Sequence, residues 1–377
     1  ETRMYSGVVL LVLLGGLALA RAAVSPTTGR LLLVSLVSGA LVLTHYWSFY
    51  LIGSVLVALV IEARRGRRTA WRLAAAVTGG GVLFLPWLPT FVYQTRHTGA
   101  PWAGRPTLGD LIEQLRWYAG GDDLDSAGWV LWLLLLVLVG LGVFARRRRS
   151  GLVELRWRGT EKGRQLGLII GATLGSAFLA GLIVDSPVAA RYTAVAFPLV
   201  IVVAALGLQT IGGRAAVVLL TIAAIAGVLG GRDVATTERT ATPKVAEVLN
   251  RRASADDLVV YCPDQLGPST SRLIDGDMRQ VTFPSLREPG LVDWVDYMER
   301  VRATDLEQFA KRVDAMAGTS DLWLVTAPNY LTMSSTCAGL RYELEQLRTE
   351  HTELVRADGR YFEQAQLFRM RRGADNT

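Results

Sequence analysis

Between positions 31 and 61 the chain reads LLLVSLVSGALVLTHYWSFYLIGSVLVALVI, thirty-one residues without a Lys, Arg, Asp or Glu. A hydrocarbon core about 30 Å thick takes about 20 helical residues. The run is therefore too long for one crossing and short for two. Its polar interruption is Thr44-His45-Tyr46-Trp47, near the middle. This pattern predicts two short spans meeting at a membrane surface, with His45 and Tyr46 held at headgroup level. Ionisable groups at membrane depth are costly and are candidates for function.

Further apolar runs cover 4–24, 70–93, 129–145, 166–184, 193–208 and 215–230. Together with the double run they amount to about eight spans. Residues 1–231 carry 21 Lys/Arg against 10 Asp/Glu, and residues 232–377 carry 19 against 23. An apolar, basic part thus precedes a mildly acidic part of ordinary composition. The expected architecture is a polytopic α-helical membrane domain over 1–231 and a C-terminal α/β domain over 232–377.

Charge asymmetry between loops orients such a chain, because cytoplasmic loops hold excess Lys and Arg. With the first residue outside, the inner loops hold sixteen Lys/Arg and the outer loops five, namely Arg3, Arg96, Arg105, Arg116 and Arg191. The expectation is a multi-pass plasma-membrane protein. The His45-Tyr46 turn, the 94–128 loop, the Arg191 turn and the whole C-terminal domain then lie on the extracytoplasmic side. In the outer loop Leu108, Leu111, Ile112 and Leu115 recur at helical spacing opposite Asp110, Glu113 and Gln114. That spacing fits a short amphipathic helix, lying in the interface or packed on the protein. Trp47, Trp87, Trp102, Trp117 and Trp129 fall at the same outer surface, as interfacial anchors do.

The C-terminal part alternates strand-like and helix-like stretches. Strands are expected at 257–262, 280–283, 321–326, 352–357 and 364–371, and helices at 245–252, 306–317 and 337–350, which suggests a small three-layer sheet. Trp294, Tyr297, Trp323 and Tyr330 read as core or rim residues rather than a binding groove. The Gly-x-Gly-x-x-Gly dinucleotide pattern is absent, as are a Gly-x-Ser-x-Gly elbow and a Lys-bearing phosphate loop. No nucleic-acid partner is expected. Only two cysteines occur, Cys262 at a strand end and Cys337 at a helix start. In an oxidising compartment they are expected to pair, in a structural role.

With three histidines in the chain, His45, His97 and His351, no cluster has metal-ligand spacing. Topology instead gathers Glu1, Arg3, Tyr5, His45, Tyr46, Asp185, Arg191 and Tyr192 at one surface. Two arginines beside apolar spans suit an anion at headgroup depth, since guanidinium pairs bidentately with phosphate. The bland alternative is that Arg3 and Arg191 snorkel to lipid headgroups, or pair with Glu1 and Asp185.

These residues carry a resemblance. Glu1-Thr2-Arg3-Met4-Tyr5, opening a span, is similar to the Glu-x-Arg-x-Tyr signature of polyprenyl-phosphate-sugar glycosyltransferases of the GT-C fold, a group that includes protein O-mannosyltransferase-like and aminoarabinose-transferase-like enzymes. Thr44-His45-Tyr46, Leu85-Pro86-Trp87-Leu88-Pro89 and Ala190-Arg191-Tyr192 with Pro198 resemble motifs of the same family, over roughly residues 1–231. The run Tyr261-Cys262-Pro263-Asp264-Gln265-Leu266-Gly267-Pro268 is similar to bacterial members with an extracytoplasmic C-terminal domain.

The resemblance implies an inverting transferase that passes a sugar from a polyprenyl-phosphate donor to a protein, lipid or cell-wall glycan. Arg3 and Arg191 would neutralise the leaving phosphate. Tyr5, His45, Tyr46 and Tyr192 would orient donor or acceptor, and Glu1 would hold Arg3. The family's catalytic Asp lies on a loop before the Glu-x-Arg-x-Tyr span. Since the chain opens on Glu1 it reads as a fragment, and that residue has no counterpart here. No cofactor is evident from the residues, although a divalent metal is compatible with the full-length enzyme. Two other classes stay open: a transporter or flippase for a lipid-linked substrate, and a non-catalytic membrane-anchored binding protein.

Overall fold

The computed structural model describes residues 4–98, 106–120, 126–148, 152–156, 159–184, 188–330 and 333–373. The chain divides into two compact units, Glu1–Val92 with Ala103–Thr236, and Tyr93–Trp102 with Thr237–Thr377.

The first unit is helical. In chain order it holds α1 (Tyr5–Val24), α2 (Thr28–Thr44), α3 (Ser48–Arg64) and α4 (Arg68–Gly81), then a 3-10 segment, Val82–Trp87, that leads into α5 (Leu88–His97). Next come α6 (Leu108–Tyr118), α7 (Ser126–Phe144), the short strands β1 (Ala145–Arg147) and β2 (Val153–Leu155), and α8 (Glu161–Val184). A second 3-10 turn, Ala190–Val195, precedes α9 (Phe197–Ile211) and α10 (Gly213–Thr236).

Among the described residues five helical stretches are long and apolar enough to cross a membrane: Tyr5–Val24, Arg68–His97, Ala127–Phe144, Glu161–Ile183 and Gly213–Thr236. That is fewer than the eight runs anticipated. The 31–61 run breaks at His45 into helices of 17 residues each, and the run near 193–208 becomes a 15-residue helix. At 1.5 Å per residue, 17 residues reach about 25 Å, short of a full hydrocarbon core.

Small residues bring these helices together. α2 and α4 cross where a Cβ added to Gly39 would lie 2.8 Å from the carbonyl oxygen of Gly80. A Cβ on Gly207 of α9 would collide with the Leu138 carbonyl of α7. Close backbone approach through small residues is how helices associate where lipid removes the hydrophobic driving force. On α10 the large aliphatic side chains Val217, Leu220 and Val228 are all exposed.

The second unit continues with α11 (Thr242–Arg252), β3 (Leu258–Cys262), α12 (Gly267–Ser271), β4 (Arg279–Thr282), α13 (Tyr297–Ala303), α14 (Leu306–Ala317), β5 (Leu322–Thr326), α15 (Ser334–Leu347), β6 (Glu350–Val355) and β7 (Gln366–Arg371). Its sheet has the order β4-β3-β5-β7-β6. β3 runs parallel to β4 and β5, with Val260 opposite both Val281 and Leu324, while β7 is antiparallel to β5 and to β6.

β3 is buried at all five positions because both of its faces are covered. Leu258, Val260 and Cys262 point into one core, with α13, α14 and α15. Val259 and Tyr261 point into the other, with α11. Period-two alternation thus feeds two cores. Arg348, fully buried, ties the far end of the sheet: its guanidinium bonds Asp314 Oδ1 at 2.8 Å and the carbonyls of Ser320 at 2.6 Å and Gly318 at 2.9 Å.

Tyr93–Trp102 belongs to this unit rather than to an isolated outer loop. His97 Nδ1 lies 2.9 Å from Asp296 Oδ1, and the amide of Asp296 donates to the His97 carbonyl at 2.7 Å.

Candidate functional site

Three separate elements of the first unit bring polar and aromatic groups together. α1 contributes Tyr5 from its first turn. The break between α2 and α3 contributes His45 and Trp47, and the 3-10 turn Ala190–Val195 contributes Arg191 and Tyr192. The break is local in origin. Thr44 turns its hydroxyl back onto the Ala40 carbonyl at 2.7 Å, and His45 takes an extended conformation as the C-cap of α2. Below lies a floor of Val8, Val12, Leu41, Leu51 and Val195, all buried. Leu41 and Leu51 stand one helical turn before His45 and one after Trp47, so the floor fixes both ends of the break.

His45 is the centre of the group and only 8% exposed. Its ring sits 5.7 Å from that of Tyr5 and 5.8 Å from that of Tyr192. Trp47 reaches the same tyrosine at 5.9 Å. The Trp47 amide donates to His45 Nδ1 at 3.2 Å, so the neutral ring carries its proton on Nε2. The Arg191 guanidinium lies over the Tyr192 ring at 5.4 Å, within reach of a cation–π contact.

The 3-10 turn is held from the side by α6. Tyr118 donates to the Thr193 carbonyl at 3.0 Å and lies 2.8 Å from the Thr193 hydroxyl, which donates in turn to the Ala190 carbonyl at 2.7 Å. Tyr118 and Thr193 were not singled out from the sequence. The adjacency of Thr193 to the Arg-Tyr pair was the one signal available.

Tyr5, His45, Arg191 and Tyr192 thus meet, and Tyr46 belongs to another cluster. Its hydroxyl accepts from the Trp87 indole at 2.9 Å, and its ring packs on Phe91 at 4.8 Å and Phe84 at 6.3 Å. The Pro86-Trp87 exit therefore anchors the break through Tyr46. Glu1, Arg3 and Asp185 lie outside the described residues, as does Trp102. Chemically, the cluster offers one guanidinium, two phenols and one imidazole, a set suited to holding an oxyanion. Among the described residues no three His, Cys, Asp or Glu side chains gather as metal ligands.

In the second unit, the 261–268 run turns out of β3 at its carboxyl end. Cys262 is disulfide-bonded to Cys337, joining β3 to the start of α15 with the Cα atoms 5.5 Å apart. Asp264, 5% exposed, accepts from the Tyr297 hydroxyl at 2.6 Å. Burial pushes its carboxyl up to about 6, against the opposing pull of that hydrogen bond. Tyr330, half-buried, donates to Glu363 at 3.0 Å, and its hydroxyl is pushed upward by burial and by the Glu363 charge. Trp323 is core, its indole donating to Asp257 at 2.9 Å.

In comparisons with known proteins, no family model and no curated protein matches this chain.

Proposed function

We propose that the protein is an integral-membrane glycosyltransferase that moves a sugar from a polyprenyl-phosphate donor to an extracytoplasmic protein, lipid or cell-wall glycan. The observation that carries this reading is the chain of contacts joining Tyr5, His45, Tyr192 and Arg191, from three separate elements that also share one buried apolar cluster. In this reading the acceptor hydroxyl attacks the anomeric carbon, and the polyprenyl phosphate leaves with the bonding electrons. Arg191 meets the charge that grows on its oxygens, the kind of stabilisation that counts most in such sites. Tyr5 and Tyr192 donate to the same oxygens, and His45 Nε2–H orients donor or acceptor. The base that takes the acceptor proton is, by the family resemblance, an Asp upstream of Glu1.

In this reading the 17- and 15-residue helices also cross, for eight spans in all, the bilayer thinning to match them, and the break between α2 and α3 faces outward. An extracytoplasmic C-terminal domain agrees with the Cys262–Cys337 bond, since disulfides persist in oxidising compartments.

Transfer of a radiolabelled sugar from its polyprenyl-phosphate carrier, in membranes from cells expressing the intact gene, tests the reading. Arg191→Ala is expected to lower kcat by about 100-fold, the loss typical of one donor to a developing oxyanion, with protein levels in the membrane unchanged. Wild-type transfer by that variant would remove Arg191 from the mechanism.

A further inference from the structure

The opposite end of the first four helices is rich in arginine: Arg21 closes α1, Arg30 opens α2, Arg64 closes α3, and Arg67, Arg68 and Arg72 lie at the start of α4. Several of these are committed. Arg30 bonds the carbonyls of Arg21 and Ser25 at 3.0 and 3.2 Å. Arg65 and Arg67 each pair with Glu62 at 3.0 Å. Arg72 makes neither an ion pair nor a hydrogen bond among the described residues.

Arg72 stands at the mouth of a groove between α2 and α4, of about 320 Å³, lined otherwise by Thr28, Leu31, Leu32, Ser35 and the alanines 75 and 76. The two helices run parallel here, because Thr28 faces the beginning of α4 while Gly39 meets Gly80 near its end. Both amino termini therefore lie at the arginine-rich end. The α2 cap residue, Thr27, makes no side-chain capping bond, so the partial positive charge of the first turn is left uncovered.

We propose that this groove holds an anionic phospholipid. One acyl chain lies along Leu31, Leu32 and Ala75, and the headgroup phosphate pairs with Arg72. An apolar channel ending at an uncommitted guanidinium matches both halves of such a molecule. A bidentate arginine–phosphate pair supplies the contact, and basic pockets between spanning helices are where anionic headgroups settle. Thr28 and the first-turn amides of α2 offer further donors to the same phosphate. The proposal rests on the helices lying in a bilayer and is independent of whether the protein transfers a sugar.

The full-length protein, stripped of co-purifying lipid in detergent, is titrated with phosphatidylglycerol and with phosphatidylcholine of the same chains. Bound lipid is counted by native mass spectrometry. One basic contact is worth about 1 kcal/mol near a membrane surface, so wild type should favour phosphatidylglycerol by about fivefold. Arg72→Gln should bring that ratio to about one, and Arg72→Lys should keep most of it. Arg64→Gln removes the same charge from the same end but lines no part of the groove, and should leave the ratio unchanged. Ala75→Trp fills the groove with the arginine intact and should weaken both lipids. Glycerol phosphate, a headgroup without chains, should not compete. Equal loss of preference in the Arg64 and Arg72 variants would overturn the proposal in favour of diffuse attraction. An unchanged ratio in Arg72→Gln, or competition by glycerol phosphate, would overturn it as well.

Discussion

The two units differ in the side chains they leave outside. In the second, Trp323, Leu324, Tyr261 and Leu340 are sealed inside, as in any domain folded by water. The first also buries aliphatic side chains such as Val8, Val12, Leu41 and Leu51, but Gly39, Gly80, Gly142 and Gly207 add close backbone approaches, and Leu220 and Val228 (70% exposed) look outward. A water-soluble domain does not expose so much contiguous aliphatic surface. The difference teaches that the surroundings of each unit are written in the side chains it leaves outside. The first joins buried aliphatic clusters to close backbone approach at glycines, and the second rests on volume and on satisfied polar groups such as Arg348.

The largest expected effect that would break this comparison comes from adding volume to the first unit. Gly80→Val forces a branched side chain onto the Ser35 carbonyl and the Gly39 amide. Overpacking costs typically 1–3 kcal/mol and more where backbone cannot move. Recovery of folded, monodisperse protein by size-exclusion chromatography should therefore collapse. Gly81→Val, where nothing lies within 4 Å of an added Cβ, should leave recovery near wild type. Equal behaviour of the two variants would mean that α2 and α4 do not meet through Gly80.

A smaller effect sharpens the second half of the comparison. Asp264 is a buried acid whose folded-state pKa, about 6, lies above its ordinary 3.8. Between those values the folded unit binds more protons than the unfolded chain, so its stability falls as pH rises through the window from about 4 to 6. That difference in proton affinity corresponds to roughly 3 kcal/mol. Hydrogen exchange at the β3 and β5 amides, corrected for intrinsic rates, should show that loss. Asp264→Asn, still able to accept from Tyr297, should flatten the profile. A wild-type profile flat across the window would contradict the buried, protonatable state.

Much of this architecture is legible in the sequence, for physical reasons that differ between the units. Continuous apolar stretches at 257–262 and 321–326 mark β3 and β5, because strands covered on both faces carry no polar alternation. The long apolar runs mark the helices of the first unit in the same direct way. Their lengths after breaking were less legible, since apolar composition alone fixes neither the extended cap at His45 nor the 3-10 segment Val82–Trp87, whose Trp87 packs with Tyr46.

The pairing of His97 with Asp296 joins residues 199 apart, and no local pattern announces it. Nor does composition foretell the antiparallel β1–β2 pair, beside which Arg148 and Arg156 both pair with Glu154. In the candidate site, the identities of His45, Arg191 and Tyr192 were legible as polar groups stranded at apolar ends. Their shared ring contacts, and the divergence of Tyr46 from its neighbour His45, follow from tertiary packing alone.

The claim that most needs testing is that the His45 cluster grips the phosphate end of a polyprenyl carrier. A polyprenyl phosphate bearing a photoreactive diazirine beside its phosphate, irradiated with the full-length protein in membranes, reads this directly by peptide mapping. The account expects label on the segments around residues 44–47 and 190–195, suppressed by excess unmodified polyprenyl phosphate and weakened by Arg191→Ala. Label confined to other segments, or label on these that excess carrier does not displace, would contradict it.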